Sequence, residues 1–114
     1  MTIKKLEDVI VWQKAGKLTL KIYRELHKCR DFSFRDQMRR SAVSIMNNIA
    51  EGFERKGNKE LKRFLYIAKG SCGEVRSMSY LALKLKYLSE ESFKEINIMS
   101  VEISKMLTGF ISKI

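Results

Sequence analysis

Apolar positions in this chain recur at steps of three and four in four separate stretches, which is the signature of amphipathic helices. Over residues 7–29, Trp12, Ala15, Thr19, Ile22 and Leu26 form one stripe, widened by Val11 and Leu18. Over residues 34–54, Met38, Ala42, Val43, Ile45, Met46, Ile49, Ala50 and Phe53 share an arc of about 160° at 100° per residue. Arg40, Ser41, Ser44, Asn47, Asn48, Glu51 and Glu54 take the other side, and Arg39 falls inside the arc, where its stem can pack while its head reaches water. Over residues 59–87, the buried stripe is Leu61, Phe64, Leu65, Ala68, Cys72, Val75, Met78, Ala82 and Leu85. That third helix runs roughly 43 Å at about 1.5 Å per residue. From Ser89 onward, Phe93, Ile96, Met99, Ile103, Met106, Leu107, Phe110, Ile111 and Ile114 make a broad apolar face.

The chain has no proline, and turn signals occur only at residues 30–33, 57–58 and 88–89. Ser33, Asn58 and Ser89 are the expected N-caps, with Glu90 and Glu91 at the positive end of the last helix. Four amphipathic helices with short joints predict an all-α, antiparallel, up-down four-helix bundle, one domain over residues 1–114. The apolar faces are wide, which suggests self-association, although a small bundle also needs wide faces. Gly70, Gly73 and Ser77 form a bare patch on the third helix where another backbone could approach closely.

Charge changes this picture more than composition does. The formal net charge is +10, from 23 Lys and Arg against 13 Asp and Glu. Residues 1–88 hold 20 basic and 9 acidic side chains, and residues 89–114 hold 3 and 4. Lys14, Lys17, Lys21, Arg24 and Lys28 line one side of the first helix, opposite its apolar stripe. Lys62, Tyr66, Lys69, Gly73, Arg76, Tyr80, Lys84 and Tyr87 form a second row on the third helix. Like charges stacked on a helix repel, so folding alone does not ask for such rows. A polyanion does, and nucleic acid is the first candidate partner. The competing reading is a solvated face that keeps a soluble domain apart. No run of about 18 apolar residues occurs, so no membrane span is expected. The opening residues lack the apolar stretch of a leader, which predicts a cytoplasmic protein. A membrane-surface role ranks low, because the basic rows lie opposite the apolar faces.

Three segments resemble one family. QMRRSAVSIMNNIAEGF at residues 37–53 resembles the signature of the bacterial four-helix-bundle proteins encoded in intervening sequences of 23S rRNA genes. LEDVIVWQKA at residues 6–15 is similar to that family's opening, and KELKRFLYIAKGS at residues 59–71 to the start of its third helix. The matches reach from residue 6 to about residue 88. Met46 stands where the family usually has proline, which removes a possible kink from the second helix. The resemblance implies an up-down bundle and kinship with the accessory variability proteins of diversity-generating retroelements. Those are basic pentameric rings that associate with nucleic acid and a reverse transcriptase. It therefore implies a homo-oligomer, a pentamer, with nucleic acid and such an enzyme as possible partners.

In the candidate interface, Lys14, Lys17, Lys21, Arg24, Lys28, Lys62, Lys69, Arg76 and Lys84 would neutralise phosphates, and Tyr66 and Tyr80 would stack on exposed bases. Arg39 and Arg40 would grip phosphate at a helix start, or else belong to a polar network that fixes helix register or a subunit contact. No base-reading motif accompanies them, so binding with little sequence preference is expected. Asn48, Glu51 and Arg55 share a face, Glu51 and Arg55 at i,i+4, and read best as a structural polar network. Glu74 lies near the edge of the buried face, where a carboxylate needs a partner, so an ion pair is expected there. Cys29 and Cys72 read as reduced thiols and His27 as a surface residue. No nucleophile–base–orienter set, phosphate loop or metal-ligand spacing is present, so a non-catalytic protein without cofactor is expected. A protein–protein adaptor, its basic surface meeting an acidic partner, is the alternative.

Overall fold

The computed structural model describes residues 5–114. A 3-10 turn at Leu6–Asp8 leads into α1 (Ile10–Glu25), followed by α2 (Phe32–Glu54), α3 (Asn58–Lys84) and α4 (Glu90–Ser112), with no strand among the described residues. Each helix packs on its sequence neighbours, and α1 closes the square against α4. The up-down course is marked at both ends. At one, the Tyr87 hydroxyl after α3 donates to Asp31 Oδ2 before α2 at 2.8 Å. At the other, Phe53 at the end of α2 meets Phe110 near the end of α4 edge to face, 5.8 Å between centroids. The molecule measures 43 × 21 × 20 Å.

The core follows the stripes. Leu18, Ile22 and Leu26 from α1 and its exit, Met38, Ile45 and Ile49 from α2, and Ile96, Ile103 and Leu107 from α4 are fully buried. Each such side chain contributes roughly 1.5–3 kcal/mol by leaving water. α3 answers these large groups with small ones: Ala68, Ser71, Cys72, Val75, Ser79 and Ala82 are its buried residues beside Leu65. Alternating large and small across facing helices fills the interior. Two of the buried hydroxyls bond within their own helices, Ser79 donating to Arg76 O at 2.7 Å and Ser100 to Ile96 O at 2.8 Å, while Thr19 donates to Ala15 O at 2.8 Å and reaches Ala42 O of α2 at 3.3 Å.

The helix ends differ from expectation. α1 begins at Ile10, after the 3-10 turn, and ends at Glu25, so Lys28 sits in the following turn and not on the helical row. Asp31, not Ser33, caps α2: its carboxylate accepts the Phe34 N–H at 3.1 Å. Gly57 precedes α3 with φ +94, a left-handed conformation open to glycine, and Asn58 is already helical. α3 stops at Lys84 because Lys86 turns left-handed at φ 62. That turn leaves Leu85 exposed and buries Leu88 in its place. Ser89 caps α4 as expected, accepting from Ser92 N–H at 3.1 Å.

Candidate nucleic-acid interface

The outer surface of α3 carries the longer of the two basic rows. Lys62, Lys69 and Arg76 stand seven residues apart, so they follow one edge of the helix with little drift. Lys84 closes the row at the last helical residue, about 33 Å from Lys62 at 1.5 Å per residue. Lys62, Lys69, Arg76 and Lys84 form no ion pair among the described residues. Arg76 donates from Nε to the neutral Asn97 Oδ1 on α4 at 3.5 Å, which steadies the guanidinium and leaves its charge uncompensated. Tyr66 is 55% exposed and Tyr80 48%. Tyr80 rests edge-on against Phe93 of α4, centroids 4.9 Å apart, so its ring is held in place while one side meets solvent.

The α1 row is divided. Lys14 pairs with Glu102 of α4 at 2.5 Å. Lys21 pairs with Glu95 of α4 and, at 3.5 Å, with Glu25 one turn on. The hydrogen bond to Glu95 raises the Lys21 pKa above its ordinary 10.5. Lys17, Arg24 and Lys28 are exposed and form no ion pair among the described residues. Only part of this row is therefore uncompensated, and its side nearest α4 is already neutralised.

On α2 the two arginines separate. Arg39 donates from Nη2 to the Tyr23 carbonyl at 2.8 Å and lies over the Tyr23 ring at 4.5 Å. It joins α2 to α1, a contact of the kind that fixes helix register, the role that stood open for it beside a phosphate grip. Arg40 is exposed and forms no ion pair among the described residues. Glu51 and Arg55 pair, at 2.7 and 3.0 Å. Asn48 donates to Ser44 O at 2.8 Å and lies 3.0 Å from Ser44 Oγ, which meets Ser71 Oγ of α3 at 2.9 Å. Glu74, expected to need a buried partner, is exposed and has no ion pair among the described residues. At 100° per residue it stands outside the arc of Leu65, Ala68, Cys72 and Val75 that faces the core.

The sequence matches the family model of the 23S rRNA-intervening sequence protein over residues 7–109. The chain belongs to that family. A solved structure of a protein of unknown function from the S23 ribosomal protein family of Bacteroides thetaiotaomicron superposes with a TM-score of 0.83 at 28% identity. The match covers 89% of this chain and 97% of the other. No functionally curated protein matches the chain.

Features that periodicity did not reveal lie between helices. Phe64 is flanked by two guanidiniums, Arg55 at 5.2 Å and Arg63 at 5.3 Å from its centroid. Gly52 is the glycine of closest approach: a Cβ there would lie 3.1 Å from Phe64 Cβ and 3.2 Å from Leu61 Cδ1. Gly70 and Gly73, the expected contact patch, have nothing within 4 Å of an added Cβ. The two thiols are free and buried, and burial pushes Cys72 up to about 12, so it is a poor nucleophile. No group of three His, Cys, Asp or Glu poised for a metal occurs among the described residues, nor a helix long and apolar enough to cross a membrane.

Proposed function

We propose that this protein is a non-catalytic basic scaffold that binds RNA or DNA along α3 with little sequence preference. The observation that carries the reading is the uncompensated row Lys62, Lys69, Arg76 and Lys84, interleaved with the exposed rings of Tyr66 and Tyr80. Four cations in about 33 Å match a phosphate backbone, and aromatic rings between them suit unstacked bases, so single strands are favoured over duplex. The family's tie to intervening sequences of 23S rRNA agrees with an RNA ligand. Beside the row, Ile67, Leu81 and Leu85 are exposed and Gly70 leaves open space, which supports self-association on the adjoining edge of α3. A pentamer is the family-based form of that assembly.

Electrophoretic mobility shift with a mixed-sequence RNA strand, a DNA strand and a duplex tests this. Affinity should fall with salt by a log–log slope of about −0.7 per phosphate on single strands and about −0.9 on duplex. Lys62→Glu, Lys69→Glu and Arg76→Glu together should weaken binding at least 100-fold, roughly 1 kcal/mol per reversed charge, with helicity unchanged. No shift at low salt overturns the reading. An acidic protein that binds where no nucleic acid does, and is lost on this reversal, points to the adaptor instead.

A further inference from the structure

Lys14 and Lys21 stand seven residues apart on α1, and Glu95 and Glu102 stand seven apart on α4. They pair in antiparallel order, Lys14 with Glu102 and Lys21 with Glu95. Side-chain exposures of 38% and 46% for one pair and 18% and 48% for the other leave both open to water. Such pairs contribute about 0–1 kcal/mol each, so either is readily exchanged. Lys17 lies beside them, lining a shallow groove with Lys14, Met99, Glu102 and Ile103, and Arg24 is exposed a turn beyond Lys21. A phosphodiester offers an ammonium the same charge and acceptor oxygens as a carboxylate. A polymer of phosphates adds counterion release, which an isolated carboxylate lacks.

We propose that Glu95 and Glu102 are built-in occupants of a second polyanion site on α1. They hold Lys14 and Lys21 and mask their charge until phosphates displace them, so the α1–α4 seam gates nucleic-acid binding. The inference rests on the nucleic-acid reading of α3 and adds a regulated face to it. α3 loads first; α1 engages only when a strand of sufficient length and local concentration outcompetes the two carboxylates.

The test compares the wild type with the Glu95→Gln/Glu102→Gln double variant on the same RNA strand and DNA duplex across a salt series. The variant should bind about tenfold tighter at low salt, with a slope steeper by about 1.4 on the strand and about 1.8 on the duplex, as two more phosphates are neutralised. Adding Lys14→Gln and Lys21→Gln to it should restore the wild-type slope. The same lysine pair removed from the wild type should leave the slope nearly unchanged, a non-additivity expected of coupled sites. Circular dichroism melts check that every variant folds. If the wild type binds and the glutamate variant shows no steepening, the gate is wrong and the α3 reading stands. If only the glutamate variant binds, the gate stands and the α3 reading falls. If neither binds, both fall.

Discussion

The α2–α3 and α1–α4 seams join neighbouring helices by opposite means. α2 and α3 approach closely, with Gly52 against Leu61 and Phe64, and their polar groups are short: Asn48, Ser44 and Ser71 form a continuous chain. α1 and α4 make the lightest contact of the four neighbouring pairs, bridged on the outside by the long side chains of Lys14, Lys21, Glu95 and Glu102. The first seam is fixed by sterics, which do not respond to solvent. The second is joined at its surface by charge, which does. A bundle built this way keeps its topology in one half and an exchangeable surface in the other.

The comparison breaks most visibly at Gly52. Gly52→Val puts a branched side chain where even a Cβ meets Phe64 Cβ at 3.1 Å. Overpacking of this kind costs about 3 kcal/mol, little of it recovered by the better helix propensity of valine. Thermal denaturation should show Tm lowered by roughly 12 °C, at about 4 °C per kcal/mol for a chain of this size. An unchanged Tm would mean that the seam is far looser than its geometry.

Gly70 and Gly73 sharpen the contrast with the opposite sign. Neither has a neighbour within 4 Å of an added Cβ, and neither has positive φ. Gly70→Ala and Gly73→Ala should each stabilise the folded chain by about 0.5–1 kcal/mol, read by urea denaturation, because alanine loses less backbone entropy in a helix. Measured at several protein concentrations, the same variants also report self-association. A gain that reverses to a loss at high concentration places these glycines in a contact between copies.

What the sequence made legible was the inward face. Leu18, Ile22, Ile45, Ile49, Ile96, Ile103 and Leu107 lie on the stripes that period 3.6 drew, and all are buried. Ser89 is a cap by the residue preference that predicts one. The outward face was legible as polar but not as partnered. A helical wheel says which residues leave the core; it does not say which neighbouring helix stands beside them. The reach of Lys21 to Glu95 across 74 residues of sequence therefore left no spacing signal, nor did the stacking of Arg39 on Tyr23. Gly52 did leave one. It falls on the buried side of α2, whereas Gly70 and Gly73 fall on the outer side of α3, and a glycine among core positions is the one that marks close approach.

The smallest effect separates the seams most cleanly. Glu95→Gln removes one exposed ion pair and should cost no more than about 1 kcal/mol at low ionic strength. In about 1 M salt, where the Debye length is near 3 Å, that cost should shrink towards zero, while the Gly52→Val penalty persists. Alkaline pH gives a second handle. The Lys21 pKa is raised above 10.5, chiefly by its hydrogen bond to Glu95, so the pair's contribution is complete below 10.5 and is lost as pH rises through the higher folded value. The difference in unfolding free energy between wild type and Glu95→Gln, followed by urea denaturation, should therefore hold constant through neutral pH and vanish above that value. Taking the difference removes the titration of every other lysine and tyrosine common to both chains. A difference that survives both high salt and high pH would show that Glu95 acts through packing of its stem against α1, and the two seams would then be alike in kind.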